Sequence, residues 1–587
     1  MALVNIKIDG HPYQVESGLT VLEACRKCGY KIPSLCAWNK GKCSQASCRV
    51  CLVEVVGARG LVASCVYPVN EGMEIIISSA KASEARRASV ELLLSNHESN
   101  CLQCEKAESC ELLEVAKMVG ARKGAFMGAM SHKTEDTLAP GLKRNSAKCI
   151  LCGRCVATCK AAQGISILGF ENRGFETQVS PIENRSFAES PCIQCGQCVN
   201  VCPTGALMEQ SEIEKVDAAF KAGKKVIVQT APAVRAAIAE EFGAPIGTTG
   251  TGKMVAALHR LGFYRVFDTN FGADLTIMEE AHELMERIKN GGALPQLTSC
   301  SPGWVNYLEY YYPELIPNVS TCKSPHMMVG AIVKSYYVQK NNLNPEDIFV
   351  VSVMPCTAKK YEAQRKEMPN DVDAVLTTRE LAKLIKRAGI NWNKLPEEEF
   401  DNDLLGEYSG AGVIFGVTGG VMEAALRTAY YWLTGKEYEL INFTEVRGLE
   451  GVKEAELNIN GTVLKVAVTS GMANAKVLLE QVKAGTSPYA FIEVMGCPGG
   501  CINGGGQPFV KPLFLDNEDF DILETYRAKR ASVLYSEDEK QVLRQSHNNK
   551  DVQRLYDEFL GKPGSHLAEE LLHTSYNGSR EKYPSKK

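Results

Sequence analysis

The sequence predicts a multidomain chain of mixed class, with small α+β modules in front and a large α/β domain behind. Three observations carry that prediction. Cysteines stand in tight groups along the first part of the chain. One grouping, C-x2-C-x2-C-x3-C, occurs twice, at residues 149–159 and 192–202. From about residue 220 cysteines become sparse, and strand-like runs such as Lys225-Val226-Ile227-Val228 and Ile348-Phe349-Val350-Val351-Ser352-Val353 alternate with amphipathic helices. With 587 residues the chain has length for several domains and a large core.

The totals narrow the class. Hydrophobic residues at 45% and charged ones at 23% are ordinary for a globular protein. A net charge of -4 gives no sign of a nucleic-acid partner. No apolar run approaches the roughly 18 residues of a membrane span. The N-terminus alternates like a strand and lacks a signal-peptide core, so a cytoplasmic location is expected. The 23 cysteines are clustered, unlike a small secreted disulfide framework, and point to metal binding. Zinc is the generic alternative for any single Cys-x2-Cys.

Residues 1–80 read as short strands around a cysteine loop, in which Cys36, Cys48, Cys51 and Cys65 are spaced C-x11-C-x2-C-x13-C. Thiolates are soft ligands suited to iron, and four complete a [2Fe–2S] centre. With neighbours such as Cys51-Leu52-Val53-Glu54-Val55-Val56, the region resembles a plant-type ferredoxin domain. Cys25, Cys28 and Cys43 are left over and read as spare or buried thiols. Residues 81–125 carry His97, Cys101, Cys104 and Cys110, spaced H-x3-C-x2-C-x5-C. This resembles the [4Fe–4S] module with one histidine and three cysteines found in [FeFe]-hydrogenases and in the large iron–sulfur subunit of respiratory complex I. A neutral imidazole in place of a thiolate makes such a cluster less negative and raises its potential.

The repeat occupies residues 140–210, with Cys202 followed by Pro203. It resembles a bacterial two-cluster ferredoxin, in which the fourth cysteine of each run serves the other cluster. That resemblance implies one [4Fe–4S] cluster on Cys149, Cys152, Cys155 and Cys202, and another on Cys192, Cys195, Cys198 and Cys159.

Three later segments decide what the electrons are for. They are Thr298-Ser299-Cys300-Ser301-Pro302-Gly303-Trp304, Met354-Pro355-Cys356-Thr357-Ala358-Lys359-Lys360-Tyr361-Glu362, and the glycine-rich run from Glu493 to Pro508 that holds Cys497 and Cys501. Together they resemble the three signatures of [FeFe]-hydrogenases. The resemblance implies that residues 211–587 hold an H-cluster, a [4Fe–4S] cube joined to a diiron azadithiolate subsite carrying CO and cyanide. Cys356, Cys497 and Cys501 match three cube ligands, and Cys501 takes the bridging position. Lys359 matches the lysine that binds a cyanide ligand, a charge-assisted donor. Met354 and Met495 match pocket methionines, whose bland reading is packing, and Ala231-Pro232 matches a segment lining the diiron site. The glycines of Gly416-Val417-Thr418-Gly419-Gly420 fit no complete nucleotide fingerprint and read as tight packing.

The first signature departs from the family, which often has two adjacent cysteines there, a proton donor and then a cube ligand. Here Cys300 is followed by Ser301. Simple alignment makes Cys300 the donor and leaves Ser301 in the ligand place. A shifted loop with Cys300 as ligand, a serine ligand, and a thiolate from Cys322 all compete. A hydroxyl suits a soft site poorly. Cys322 lies two residues after Ser320, which matches a family position close to the donor cysteine, so the resemblance makes Cys322 the expected fourth ligand.

Glu280, Glu283 and Arg287 share one helix face at i, i+3, i+7, a pattern that is usually solvated surface. Here Glu280, Glu283 and Ser320 match the family's proton relay to the donor cysteine, with Arg287 at its outer end. The implied function is reversible H2 oxidation and proton reduction. The implied cofactors are an H-cluster, three further [4Fe–4S] clusters and one [2Fe–2S] cluster. A pure electron-transfer protein or a hydrogen sensor is the alternative. Expected partners are H2, protons, and a ferredoxin or the flavin-containing NAD(P)-dependent or formate-dehydrogenase subunits of a hetero-oligomer. Near the C-terminus, Tyr535 through Tyr556 reads as a polar helix.

Overall fold

Ile6, Ile8 and Val15 are buried and alternate with more exposed neighbours, and that period of two folds the N-terminus into a hairpin of strands Leu3–Ile8 and His11–Glu16. The computed structural model describes residues 2–38, 43, 45–131, 133–437, 442–447, 451–459, 462–510 and 522–576. Beyond Leu3–Ile8 the sheet continues through Met73–Ile76, Leu52–Val55 and Val62–Ala63, five strands in all. Helix Val21–Lys27 is started by a capping box in which Thr20 and Glu23 each bond the other's backbone N–H. Helices Ala80–Ser95 and Glu111–Val119 follow, the latter closed by Gly120 in the left-handed conformation at φ 66°.

The sequence repeat is also a backbone repeat. Helices Arg154–Gln163 and Gln197–Val201 each begin after a left-handed glycine, Gly153 (φ 73°) and Gly196 (φ 69°). Leu151 (φ 54°) and Gln194 (φ 52°) share the strained turn before it. A buried two-point ion pair, Arg154 Nη1 to Glu111 Oε1 at 2.8 Å and Nη2 to Oε2 at 3.1 Å, ties this unit to the one before it.

Two four-stranded sheets form the large domain. One is entirely parallel, in the order Arg265–Asp268, Lys225–Thr230, Ile348–Met354, Ala374–Thr377. The other places Gln296–Leu297, Phe491–Met495 and Thr462–Ser470 in parallel and closes with the antiparallel strand Val452–Ile459. Val226, Val228, Val351 and Val353 are buried, as near-continuous apolar strands covered on both faces should be. Helix Thr269–Asn290, capped by Asp268, leaves the end of one of these strands. Gly419 (φ 93°) and Gly420 serve packing: a Cβ on either would lie 2.0 Å or less from a backbone carbonyl oxygen.

The C-terminal segment differs from its sequence reading. An α-helix spans Ile522–Lys540, a short 3-10 turn covers Ser546–Asn548, and α-helix resumes only at Lys550–Leu555. Between them Ser546 and Asn549 donate to the buried carboxylate of Asp274, at 2.7 and 2.9 Å, and Asn549 caps the second helix. Satisfying Asp274 takes those polar side chains out of a continuous helix. No helix among the described residues is long and apolar enough to cross a membrane.

Candidate active site

Four segments singled out in the sequence leave the carboxyl ends of parallel strands. Pro232 follows Lys225–Thr230, Cys300 follows Gln296–Leu297, Cys356 follows Ile348–Met354, and Cys497 follows Phe491–Met495. Open α/β sheets bind ligands at that end. The segments enclose a cavity of about 80 Å³ lined by Pro232, Cys300, Ser301, Met354, Cys356, Lys359, Phe415, Met495, Cys497 and Cys501. Ala231 is buried beneath it and contributes its N–H to Val353 O at 3.0 Å. The glycines of the last signature let backbone close around the cavity. Gly500 sits at φ 94°, and a Cβ on Gly504 would lie 2.1 Å from Pro355 O.

Lys359 is 8% exposed, and its Nζ donates to Cys300 O at 3.0 Å and to Glu362 Oε2 at 2.7 Å. Glu362 also meets His326 Nε2 at 2.7 Å, and His326 Nδ1 lies 3.1 Å from Ser352 Oγ. Burial opposes the charge on Glu362, but Lys359 and His326 outweigh it and hold the carboxyl down to about 2. Burial, reinforced by the Lys359 charge, lowers His326 to about 4. At neutral pH the ring is therefore uncharged, Nε2–H donates to the carboxylate, and Lys359 is a fixed buried cation at the cavity wall. Glu362 stands three residues beyond Lys359 in the second signature, so helical spacing could have shown it. Nothing local in sequence marks His326 or Phe415.

The acidic stripe runs inward from the surface. Glu283 Oε1 pairs with Arg287 Nη2 at 2.6 Å, and its Oε2 accepts from Ser320 Oγ at 2.6 Å. Arg287 is held in turn by the carbonyls of Ala293, Pro317, Asn318 and Val319. One turn inward Glu280 is 1% exposed, and neither of its carboxylate oxygens has a hydrogen-bond partner. Burial, then the charges of Glu283 and Glu493, push it up to about 8. Cys300 is next: burial and the Glu280 charge raise its thiol well above the usual range. The order from surface to cavity is Arg287, Glu283 with Ser320, Glu280, Cys300.

The structure corrects the placing of Cys322, expected from sequence as the fourth cube ligand. Cys322 does not line the cavity. Its Sγ lies 4.0 Å from Glu283 Oε2, on the acidic stripe. The cause is backbone pairing. Ser320 N bonds Leu297 O and Lys323 N bonds Leu572 O, which aims the Cys322 side chain toward helix Thr269–Asn290. Ser301 lines the cavity instead, its Oγ accepting from Gly496 N at 3.0 Å.

The remaining cysteines gather in groups. Cys36 neighbours Cys48 and Cys65, and Cys51 neighbours Cys65. Cys25 is buried in the core of the N-terminal sheet, which Cys51 and Cys65 share, and Cys43 Sγ lies 3.9 Å from Cys152 O. Cys149, Cys152, Cys155 and Cys202 line one small cavity. The charge of Cys159 is among the causes that raise Cys192, Cys195 and Cys198, which places it near the second run. Backbone N–H groups of Leu151 and Gln194 point at Cys149 and Cys192 Sγ, each at 3.4 Å. His97 Nδ1 is buried without a partner, and burial lowers the ring to about 4, leaving it neutral with a free donor atom. Cys195 interacts with both Cys356 and Cys497, and Thr357 Oγ1 donates to Gln194 O at 2.7 Å. The innermost group of the repeat thus abuts the cavity.

Comparison with known proteins finds family matches in five segments of the chain. Residues 224–505 match the iron only hydrogenase large subunit, C-terminal domain, and residues 524–578 the iron hydrogenase small subunit. Residues 1–79 match a 2Fe-2S iron-sulfur cluster binding domain, 86–124 the NADH-ubiquinone oxidoreductase-G iron-sulfur binding region, and 148–212 a 4Fe-4S dicluster domain. The NADP-reducing hydrogenase subunit HndD of Solidesulfovibrio fructosivorans is 47% identical over 98% of this chain and 99% of its own length. The chain belongs to the iron-only hydrogenase family.

Iron hydrogenase 1 of Clostridium pasteurianum is 43% identical over 97% of this chain and 99% of its own. The apo [FeFe]-hydrogenase HydA1 of Chlamydomonas reinhardtii superposes with a TM-score of 0.55 at 43% identity, covering 62% of this chain and 98% of that one. As a hydrogenase the chain is an oxidoreductase acting on H2, with iron–sulfur domains for electron relay in front of an H-cluster domain. The donor set fits the group that this family implies. Three thiols, a buried cation and close-packed glycine backbone surround a cavity of little polarity, and the imidazole of His97 offers an unused lone pair to the outer module.

Proposed function

We propose that the cavity seats the H-cluster of a reversible hydrogenase, with Cys356, Cys497 and Cys501 as cube ligands and Ser301 in the fourth place. Bound there, the H-cluster supplies a redox-active iron site for heterolytic formation or cleavage of H2. Lys359 anchors the anionic end of that group, Met354, Met495, Pro232 and Phe415 keep water away, and Cys300 holds the exchangeable proton. Glu280, Glu283 with Ser320, and Arg287 carry protons between Cys300 and solvent. The observation that carries this reading is the meeting, in one cavity, of three signature thiols, a fixed cation and Cys300, whose thiol feels the charge of Glu280 at the inner end of the acidic stripe. Matured protein should show infrared bands of bound CO and cyanide and evolve hydrogen from a low-potential mediator. Absence of those bands in fully matured protein sinks the proposal.

Outward from the cavity we place [4Fe–4S] clusters on Cys192, Cys195, Cys198 and Cys159, on Cys149, Cys152, Cys155 and Cys202, and on His97, Cys101, Cys104 and Cys110. A [2Fe–2S] centre on Cys36, Cys48, Cys51 and Cys65 completes the set. Replacing His97 by cysteine adds a negative thiolate and should lower the potential of its cluster in an EPR redox titration. An unchanged potential removes His97 from the ligands. The multi-module relay, together with the likeness to a subunit of an NADP-reducing hydrogenase, supports a hetero-oligomer with a flavin-containing NAD(P)-dependent partner. A ferredoxin or a formate-dehydrogenase subunit would dock at the same N-terminal modules.

Ser301 favours a second reading, a sensor with little turnover, because an oxygen donor binds a soft cluster weakly. Ser301→Cys distinguishes the two. If Ser301 occupies the ligand place, the cysteine variant shifts the cube's EPR signal, while turnover of the parent shows whether the serine form is already competent. An identical signal in both proteins places the fourth ligand elsewhere.

A further inference from the structure

Cys322, displaced from the cavity, has neighbours of its own. Donor atoms of Glu283, Cys322 and His573 all lie within 4.8 Å of one another. Their closeness is built into the backbone. Residues 322 and 573 form an antiparallel bridge, Lys323 N bonds Leu572 O and Thr574 N bonds Thr321 O, both at 2.8 Å. The histidine is set up as a ligand. Its Nε2 lies 3.1 Å from Glu279 Oε2, a buried carboxylate fixed by Tyr556 OH at 2.5 Å and Gly564 N at 2.9 Å. A ring that donates Nε2–H to a carboxylate keeps its lone pair on Nδ1, the arrangement that orients metal-bound histidines. That Nδ1 faces the hydroxyl of Thr321 at 2.7 Å, on the exposed side of the group.

We infer that Glu283, Cys322 and His573 form a binding site for one zinc-class divalent cation, and that its occupation shuts the proton route. One thiolate, one imidazole and one carboxylate are borderline-soft donors of the kind zinc takes, with bonds of about 2.0–2.3 Å. Tetrahedral ligands at those bond lengths stand about 3.5 Å apart, so the 4.0 Å between Cys322 Sγ and Glu283 Oε2 needs only a small closure. Binding releases the thiol proton and leaves the fourth position to water or Thr321. It also occupies the carboxylate oxygen that now accepts from Ser320, and a metal-bound carboxylate no longer takes up protons. The second half of the inference rests on the reading of Glu283 as a relay group.

The test uses the fully assembled enzyme with one equivalent of zinc, followed by zinc-edge X-ray absorption and by hydrogen evolution. The expected result is one sulfur at about 2.3 Å with nitrogen and oxygen neighbours. Turnover should fall tenfold or more and recover with a chelator. Cys322→Ala should lose the sulfur shell. Both it and His573→Gln should need at least tenfold more zinc for half inhibition, each judged against its own zinc-free rate. A wild-type shell of nitrogen and oxygen alone, or a sulfur shell that survives Cys322→Ala, overturns the site. A sulfur shell that depends on Cys322 while turnover stays intact keeps the site and removes Glu283 from the proton route.

Discussion

Glu280→Gln should cut hydrogen turnover by about 100-fold or more while leaving every cluster assembled. The glutamine is nearly isosteric, so the 1%-exposed slot in helix Thr269–Asn290 stays filled. Because neither carboxylate oxygen of Glu280 has a hydrogen-bond partner, the amide breaks no hydrogen bond. What it loses is the ability to give up and regain a proton. Burial and the charges of Glu283 and Glu493 set the Glu280 carboxyl at about 8. Below that pH it carries a proton and can deliver one toward Cys300; above it the group is an anion with nothing to deliver. Hydrogen evolution should therefore fall as pH rises through about 8, and the residual activity of the glutamine variant should lack that inflection. Iron content and cluster EPR signals matching the parent would show that only proton movement was touched. Parental turnover in Glu280→Gln removes the residue from the route.

Much of this site was legible in the sequence because its chemistry is local. Cys497 and Cys501 lie four residues apart, Lys359 three beyond Cys356, and Glu280 and Glu283 one helical turn apart, so short-range spacing already sets them side by side. The doubled run was readable for a related reason, since it repeats in backbone conformation as well as in residue type. The reading of Cys322 failed because its side-chain direction is a tertiary fact. Two residues from Ser320 it is close to the site in sequence, but bridging to His573, some 250 positions away, turns it toward Glu283. His326 was invisible for the same reason. Its role depends on a helix that brings it under Glu362, and no spacing within the second signature encodes that. The break between Lys540 and Lys550 belongs with these, since Asp274 on a distant helix draws in Ser546 and Asn549.

Lys359→Met should abolish turnover, and the way it does so separates two roles for the lysine. The Nζ is shared between Cys300 O and Glu362 Oε2. Methionine matches the length of the stem but leaves Glu362 as a buried carboxylate facing only a neutral His326. Removing one partner of a buried ion pair costs about 3–5 kcal/mol, because the survivor is left uncompensated. Loss of activity in the single variant therefore does not distinguish a damaged fold from a missing anchor. The double variant Lys359→Met with Glu362→Gln does, since it removes the stranded charge while the cavity still lacks a cation. If Lys359 anchors the anionic end of the cofactor, the double variant regains thermal stability and the cube's EPR signal, yet shows neither cyanide bands nor hydrogen evolution. Lys359→Arg keeps the charge but puts a planar fork where a point charge stood, and should retain only a fraction of the cofactor. Recovery of parental turnover in the double variant would reduce Lys359 to a counter-ion for Glu362, and the cavity's hold on its cofactor would have to come from the thiols and the glycine backbone alone.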